Sequence, residues 1–264
     1  MSSRPDLAPC SLPEAVSAIQ LADGRYEARF AVNAAELDTV LRLRFEVFNL
    51  ELAEGLQESF DTGRDEDRFD AHCHHLMVLE RATGEITGTY RMQTVAMAEA
   101  AVGLYTDGEF RLDQMPQDIL SRSLEVGRAC IHKEHRNRKV LFLLWRGLAR
   151  YVMVTNSRYL FGCCSLTTQD ACHGNEVLGY LARQKHLHPD FTIEPRSGFE
   201  CVCDREVQPA SRRAIPDLFW TYLRFGASIC GPPAIDREFK TIDFLALFDV
   251  EAMDPVSRRL FFNK

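Results

Sequence analysis

The stretch SLEVGRACI, residues 123–131, decides how the rest of the chain is read. Leu124, Val126, Ala129, Cys130 and Ile131 are apolar and no proline interrupts them, so the stretch reads as a β-strand. Glu125 and Arg128 sit inside it, and a buried charge without a partner is costly. Strict alternation would place these two residues on opposite faces. A bulge at Gly127 would bring them to one side, and bulges commonly sit beside active sites. The two charges are therefore expected to mark a place where the strand splays and chemistry occurs.

Working outward, HKEHRNRK (132–139) follows as a basic loop and VLFLLWRGLARYVMVTNS (140–157) as a long, mostly apolar helix. A strand, a basic loop and a helix start together favour an anion, because free backbone N–H groups and the helix dipole converge there. YLFGCCSLTT (159–168) is apolar on both faces like a central strand, and DACHGNEVLGYLARQK (170–185) reads as a helix. GFECVCDREV (198–207) is expected to be a strand and 214–227 a helix. Residues 231–255 read as a turn, a strand and a short helix. On the N-terminal side, YEARFAV (26–32) alternates like a strand. AAELDTVLRLRFEVFNLEL (34–52) has helical spacing with Asn33 as N-cap. Residues 75–95 form a hairpin with a Gly-containing turn. Between helix and hairpin lies an acidic stretch, 53–73, too long for a simple connection. A short acidic helix falls near 112–120.

This order predicts an α/β protein, a three-layer mixed sheet flanked by helices. Residues 1–24 read as a flexible leader, 25–207 as the core, and 208–264 as a C-terminal extension packed on it.

Composition narrows the classes. With 31 Lys and Arg against 38 Asp and Glu the formal net charge is −7, which argues against binding nucleic acid or anionic membrane by bulk charge. No apolar run approaches the ~20 residues of a membrane span. The N-terminus has no secretory pattern, so the nine cysteines read as reduced thiols in a cytoplasmic protein.

The element order resembles the GNAT acyltransferase fold, whose loop before the long helix usually carries an Arg or Gln followed by two glycines that cradle the coenzyme A pyrophosphate. Here the loop is Arg136-Asn137-Arg138-Lys139-Val140-Leu141, with Lys139 and Leu141 where glycines would stand. Their side chains would obstruct a close phosphate. The cations Lys133, Arg136, Arg138 and Lys139 suit instead a phosphopantetheine arm or the acidic surface of acyl carrier protein.

The chain is similar, more narrowly, to the acyl-carrier-protein-dependent branch that includes acyl-homoserine-lactone synthases and amino-acid N-acyltransferases. The lactone-synthase signature falls on Arg44 and Phe48, Asp67 and Asp70, Arg91, and Glu125 and Arg128. FDAHCHHLMV, GTYRM, LEVGRACI, LFGCCSL and the tail IPDLFWTYLRFGASICGPPAIDREFKTIDF most resemble the ornithine lyso-lipid synthases, often labelled haemolysin-like.

The resemblance implies transfer of a fatty or 3-hydroxy fatty acyl group from acyl carrier protein to the α-amine of an amino acid, most of all ornithine. Glu125 would be the general base with Arg128 beside it. Arg44, Phe48, Asp67, Asp70 and Arg91 would shape the acceptor site. Lys133, Arg136, Arg138 and Lys139 would receive the donor. Neither metal nor other cofactor is expected. The alternatives are another acceptor such as glycine, a lactone-type signal synthase, and a non-catalytic acyl-binding regulator. The apolar tail fits core completion, an acyl tunnel, or transient contact with the inner face of a membrane. The cluster His72, Cys73, His74 and His75, with Cys201 and Cys203, is expected to pack rather than to hold zinc.

Overall fold

A computed structural model of the chain describes residues 7–262. In chain order the elements are α1 (Glu14–Ser17), β1 (Leu21–Asp23), β2 (Tyr26–Phe30), α2 (Ala34–Phe45), α3 (Ser59–Thr62), β3 (His74–Glu80), β4 (Ile86–Thr94), α4 (Val95–Glu99), α5 (Gln117–Leu120), β5 (Ser123–Ile131), α6 (Arg138–Val154), β6 (Tyr159–Leu166), α7 (Ala171–Arg183), α8 (Asp217–Arg224), β7 (Ser228–Ile229), β8 (Ala234–Asp236), β9 (Thr241–Asp249) and α9 (Pro255–Phe262). They form two compact units. Of the described residues, the first holds 7–102, 126–157 and 261–262, and the second 103–125 and 158–260, so that β5 passes from the second into the first.

In the first unit β1, β2, β3 and β4 make an antiparallel run, and residues 126–131 of β5 lie beside β4. Helices cover both faces. Leu76 of β3 points at α6, which approaches so closely at Gly147 that a Cβ there would lie 2.6 Å from the Leu76 side chain. The next residue back, His75, points to the opposite face, as strand alternation requires, and bonds the Asp70 carbonyl. That face receives α2. Asn33 caps α2 by accepting from the Glu36 N–H, while the Glu36 carboxylate reaches back to the Val32 N–H, a reciprocal cap. Past Phe45 the helix widens into a π-turn over Glu46–Glu51, a distortion common at functional sites.

In the second unit β6 pairs with β9 along its whole length, from Tyr159 opposite Asp249 to Leu166 opposite Ile242. Residues 123–125 of β5 run parallel to β6, and β7 and β8 pair with β9. One face carries Cys164, Leu166, Ile242, Phe244 and Ala246 against Val177 and Leu181 of α7 and Phe219 and Leu223 of α8. The mixed α/β class with helices flanking a sheet is thus what the chain adopts.

Several boundaries differ from the sequence reading. Residues 1–6 of the expected leader lie outside the described residues, but 14–23 form α1 and β1, because Val16 and Ile19 bury their side chains and β1 pairs with β2. Residues 208–264 are not an addition to a finished core, since β9 supplies the partner of β6. Residues 198–207 are not a strand: Val202 is exposed, and only Glu200 makes an isolated bridge, to Ala234. Two of the nine cysteines are not free thiols, because Cys172 on α7 and Cys203 are disulfide-bonded across this loop. Among the described residues no helix is long and apolar enough to cross a membrane.

Candidate functional site

The first unit buries a block of charge. Arg44 lies on the inner side of α2 and has no exposed surface. Its Nε donates to Asp65 Oδ2 at 2.7 Å, and its Nη1 and Nη2 donate to the two oxygens of Asp70 at 2.7 and 3.3 Å. Arg91, on β4, donates from Nη1 to both oxygens of Asp67, at 2.6 and 2.7 Å, and to Asp70 Oδ1 at 3.0 Å. Arg128, on β5, donates to Asp67 Oδ2 at 3.2 Å and lies 3.3 Å from Asp65 Oδ2. Three guanidiniums therefore face three carboxylates and the block is charge-balanced.

The 65–70 loop is shaped to deliver these carboxylates. The Asp65 N–H donates to the Leu41 carbonyl of α2, the Asp67 N–H to Asp70 Oδ2, and the Phe69 N–H to Asp67 Oδ1. Burial alone would raise the Asp70 carboxyl, but Arg44 and Arg91 hold it well below the ordinary carboxylate range. Asp67 is lowered likewise, by Arg91 and Arg128 against its burial. His75, fully enclosed beneath the block, is pushed down to about 4 by burial and by the two arginines, so it is neutral near pH 7.

The structure thus brings Arg44, Asp67, Asp70, Arg91 and Arg128 together. Arg44 is wholly engaged by its aspartates, so it braces the site from below. The side chains of Asp67 and Arg128 keep about a tenth of their surface exposed (11% and 8%) and form the accessible edge of the block. Phe48 is buried on the π-turn. Asp65 was not among the residues singled out from sequence. The signal was its place two residues before Asp67 in an acidic loop, which does not by itself tell a solvated charge from an inward one.

The backbone of β5 is irregular one residue after Gly127, where the sequence suggested a bulge. Gly127 has an open surrounding, and Arg128 takes the left-handed conformation, φ 50°. A side chain with a Cβ adopts that region at a cost, and such strain is characteristic of functional segments. The ladder between β5 and β6 stops at the Glu125–Phe161 pair, although β6 continues to Leu166.

Glu125 belongs to the second unit. It is buried, and its two oxygens accept the backbone N–H groups of Tyr105 and Thr106 at 3.1 and 2.7 Å. It therefore holds the 105–106 turn, a role invisible from sequence because the turn is twenty residues away.

The basic loop is partly committed. Arg136 clamps Glu51 with two bonds, 2.6 and 2.7 Å, and donates to the Ile131 carbonyl. The start of α6 is capped from within, since Asn137 Oδ1 accepts the N–H groups of Lys139 and Val140. Those amides are not open to a phosphate as the loop pattern had suggested. Lys133, Arg138 and Lys139 stay exposed and, among the described residues, make no ion pair. His74 bonds the Tyr151 hydroxyl at 2.8 Å and Cys73 is buried, so both serve packing.

Comparison with known proteins adds to this geometry. The family model described as acetyltransferase (GNAT) domain matches residues 43–146, which span Arg44, the carboxylate loop, the hairpin, β5 and the start of α6. An L-ornithine N(alpha)-acyltransferase from Rhodobacter capsulatus is 30% identical over 247 residues, covering 89% of this chain and 94% of its own length. Proteins of the same name from Rhizobium meliloti and Brucella abortus are each 29% identical, covering 85% and 86% of this chain and 80% and 85% of their own lengths. Among solved structures, that of the AHL synthase LasI matches with a TM-score of 0.49 at 14% identity, over 90% of this chain and 94% of that one.

Proposed function

The chain belongs to the L-ornithine N(alpha)-acyltransferase family, and from that premise we propose that it moves a fatty or 3-hydroxy fatty acyl group from acyl carrier protein to the α-amine of ornithine. The observation that carries the reading is the near-complete coverage of an ornithine acyltransferase at 30% identity. The donor half of the reading rests on the loop after β5, which has side chains in place of the glycines a coenzyme A pyrophosphate needs and leaves Lys133, Arg138 and Lys139 exposed for an acidic carrier surface.

The chemistry asks little of the protein. The acceptor arrives as an ammonium and must lose a proton before nitrogen attacks the thioester carbonyl. Glu125 takes that proton. Its two oxygens accept the amide N–H groups of Tyr105 and Thr106, which fix the orientation of the carboxylate. The C–N bond forms, the tetrahedral oxyanion collapses, the C–S bond breaks, and the second ammonium proton leaves with the pantetheine thiol. No covalent enzyme intermediate is required. The free thiols of Cys130, Cys164 and Cys230 are buried, and burial pushes those of Cys130 and Cys230 up to about 12, which suits packing and not nucleophilic attack. Within the first unit Arg128 and Asp67 form the accessible edge of the charged block, and Arg44, Asp65, Asp70 and Arg91 hold them in place.

The test is product analysis by mass spectrometry. The purified full chain is incubated with a 3-hydroxyacyl carrier protein or the matching coenzyme A thioester and a pool of amino acids. N-acyl-ornithine from the carrier protein alone is the expected result. Acyl-glycine would reassign the acceptor, and turnover from coenzyme A alone would overturn the donor reading.

A further inference from the structure

The second unit buries a group of acids with no cation beside it. Glu109 and Asp243 are 4% and 3% exposed. One oxygen of each, together with Cys163 Sγ, lies within 4.8 Å of the other two. Glu109 Oε1 and Asp243 Oδ1 are buried without a donor of their own; the two carboxyls face each other, with the Ser165 and Thr241 hydroxyls beside Asp243 and Tyr105 beside Glu109. Asp236 stands close by but is satisfied, accepting from the Glu238 and Phe239 N–H groups and the Tyr105 hydroxyl. Among the described residues no Lys or Arg pairs with Glu109, Asp236 or Asp243. Elsewhere the chain matches its deepest acids to arginine, as at Asp65 and Asp70, so an unmatched group is the exception. Burial and mutual repulsion raise the Glu109 and Asp243 carboxyls, Glu109 far above its usual range.

The position is informative. Residues paired across a ladder share a face. Glu125 pairs with Phe161, Cys163 with Leu245, and Ser165 with Asp243, all at even spacing along β6. The group therefore lies on the same face as Glu125: Cys163, which contacts Glu109, is two residues further along β6, about 7 Å, and Asp243 lies opposite Ser165, four residues further, about 13 Å. The 105–109 segment is tied to both ends of this face. Its Tyr105 and Thr106 amides hold Glu125, and its Glu109 completes the acid group. The α- and δ-nitrogens of an extended ornithine are roughly 6 Å apart by covalent geometry.

Resting on the function proposed above, we infer that Glu109 and Asp243, with Cys163 at their side, receive the δ-ammonium of the acceptor while its α-amine meets Glu125, and that this group selects a diamino acid over neutral ones. A compact ammonium has three donors for converging acceptors. A site built to bond a substrate N–H rejects the analogue lacking it, because its own polar groups are then left unpaired. Without acceptor the two carboxyls share a proton, and the incoming ammonium displaces it.

The experiment compares ornithine with norvaline, which has the same carbon chain and no δ-nitrogen, on wild type, Asp243→Asn and Glu109→Gln. The wild-type ratio of kcat/KM for ornithine over norvaline is expected to exceed about 100-fold and to fall at least about tenfold in each variant. A ratio unmoved by both substitutions overturns the inference, while N-acyl-ornithine formation leaves the functional reading standing. A donor-free readout covers an inactive preparation. Calorimetry of ornithine binding in buffers of different ionisation enthalpy should show proton release in wild type that is lost in the variants. Binding without proton release in wild type, or stabilisation by Mg2+ or Mn2+ but not by ornithine, overturns it. Both variants replace one carboxyl of the proton-sharing pair by a neutral isostere, so each should melt close to the wild-type temperature, which guards against loss of fold.

Discussion

Arg44 and Asp70 meet through two hydrogen bonds, 2.7 and 3.3 Å long, with no exposed surface on either side chain. A guanidinium so enclosed is a brace, and its removal leaves Asp65 and Asp70 short of a partner in a dry place. Breaking a buried pair by deleting one member costs about 3–5 kcal/mol. Arg44→Met is accordingly expected to lose that much in urea denaturation. Arg44→Lys should lose a large part of it, because a single ammonium cannot reproduce the fork that reaches Asp65 and Asp70 at once. A loss below about 1 kcal/mol for Arg44→Met would show that Arg91 and Arg128 suffice to neutralise the loop.

His75 ties the same block to pH. Its folded-state pKa is lowered to about 4 from 6.5, so the unfolded chain binds the proton first as pH falls. Stability is unaffected by this group above about pH 6.5 and declines as pH drops towards about 4, by about 3 kcal/mol in all. Asp70 acts in the same sense but lower, its contribution fading only below the ordinary carboxylate range. Urea midpoints of wild type and His75→Gln between pH 7 and 4.5 check this. The wild-type curve should slope and the variant curve should flatten over that interval.

How much of this was legible in the sequence differs between the two units. SLEVGRACI is the whole of β5, because an apolar run bounded by turn residues carries both its ends with it. Arg44, Asp67, Asp70, Arg91 and Arg128 were picked out by the resemblance to the lactone-synthase signature, and the structure brings them within bonding distance. Asp65 escaped because a charged loop has no periodicity from which to read a direction. The Glu109–Cys163–Asp243 group escaped for a deeper reason. Its members come from a turn and two strands joined by the β6–β9 ladder, a register no local pattern encodes. The misread strand at 198–207 shows the converse: alternating apolar residues make a strand only where a neighbouring edge is open to them, and here the segment is tied to α7 by Cys203 and by the Asn175 bond to the Cys201 carbonyl.

Glu125 holds a turn and, in the proposed mechanism, also takes a proton. Glu125→Gln separates the two roles. The amide oxygen still accepts one N–H, so the melting temperature should fall little, whereas the lost base should lower kcat by about 10²–10⁴-fold. A variant that folds and turns over normally would confine Glu125 to its contacts with Tyr105 and Thr106.

The exposed cations supply the final prediction. Lys133, Arg138 and Lys139 lie on the loop after β5 and the first turn of α6, whereas Arg136 is already clamped to Glu51. If this surface docks an acidic carrier protein, its attraction is screened by salt and acts mainly on encounter. Reversing the three charges to Glu is expected to raise KM for the acyl carrier protein at least about tenfold, with kcat moving less, and to flatten the dependence of kcat/KM on ionic strength. Arg136→Glu should behave differently, because it sets two like charges against each other at Glu51 and so lowers the melting temperature. Equal KM values for wild type and the triple variant across 50–300 mM salt would remove this loop from the docking surface, and steady-state kinetics over about that range decide it.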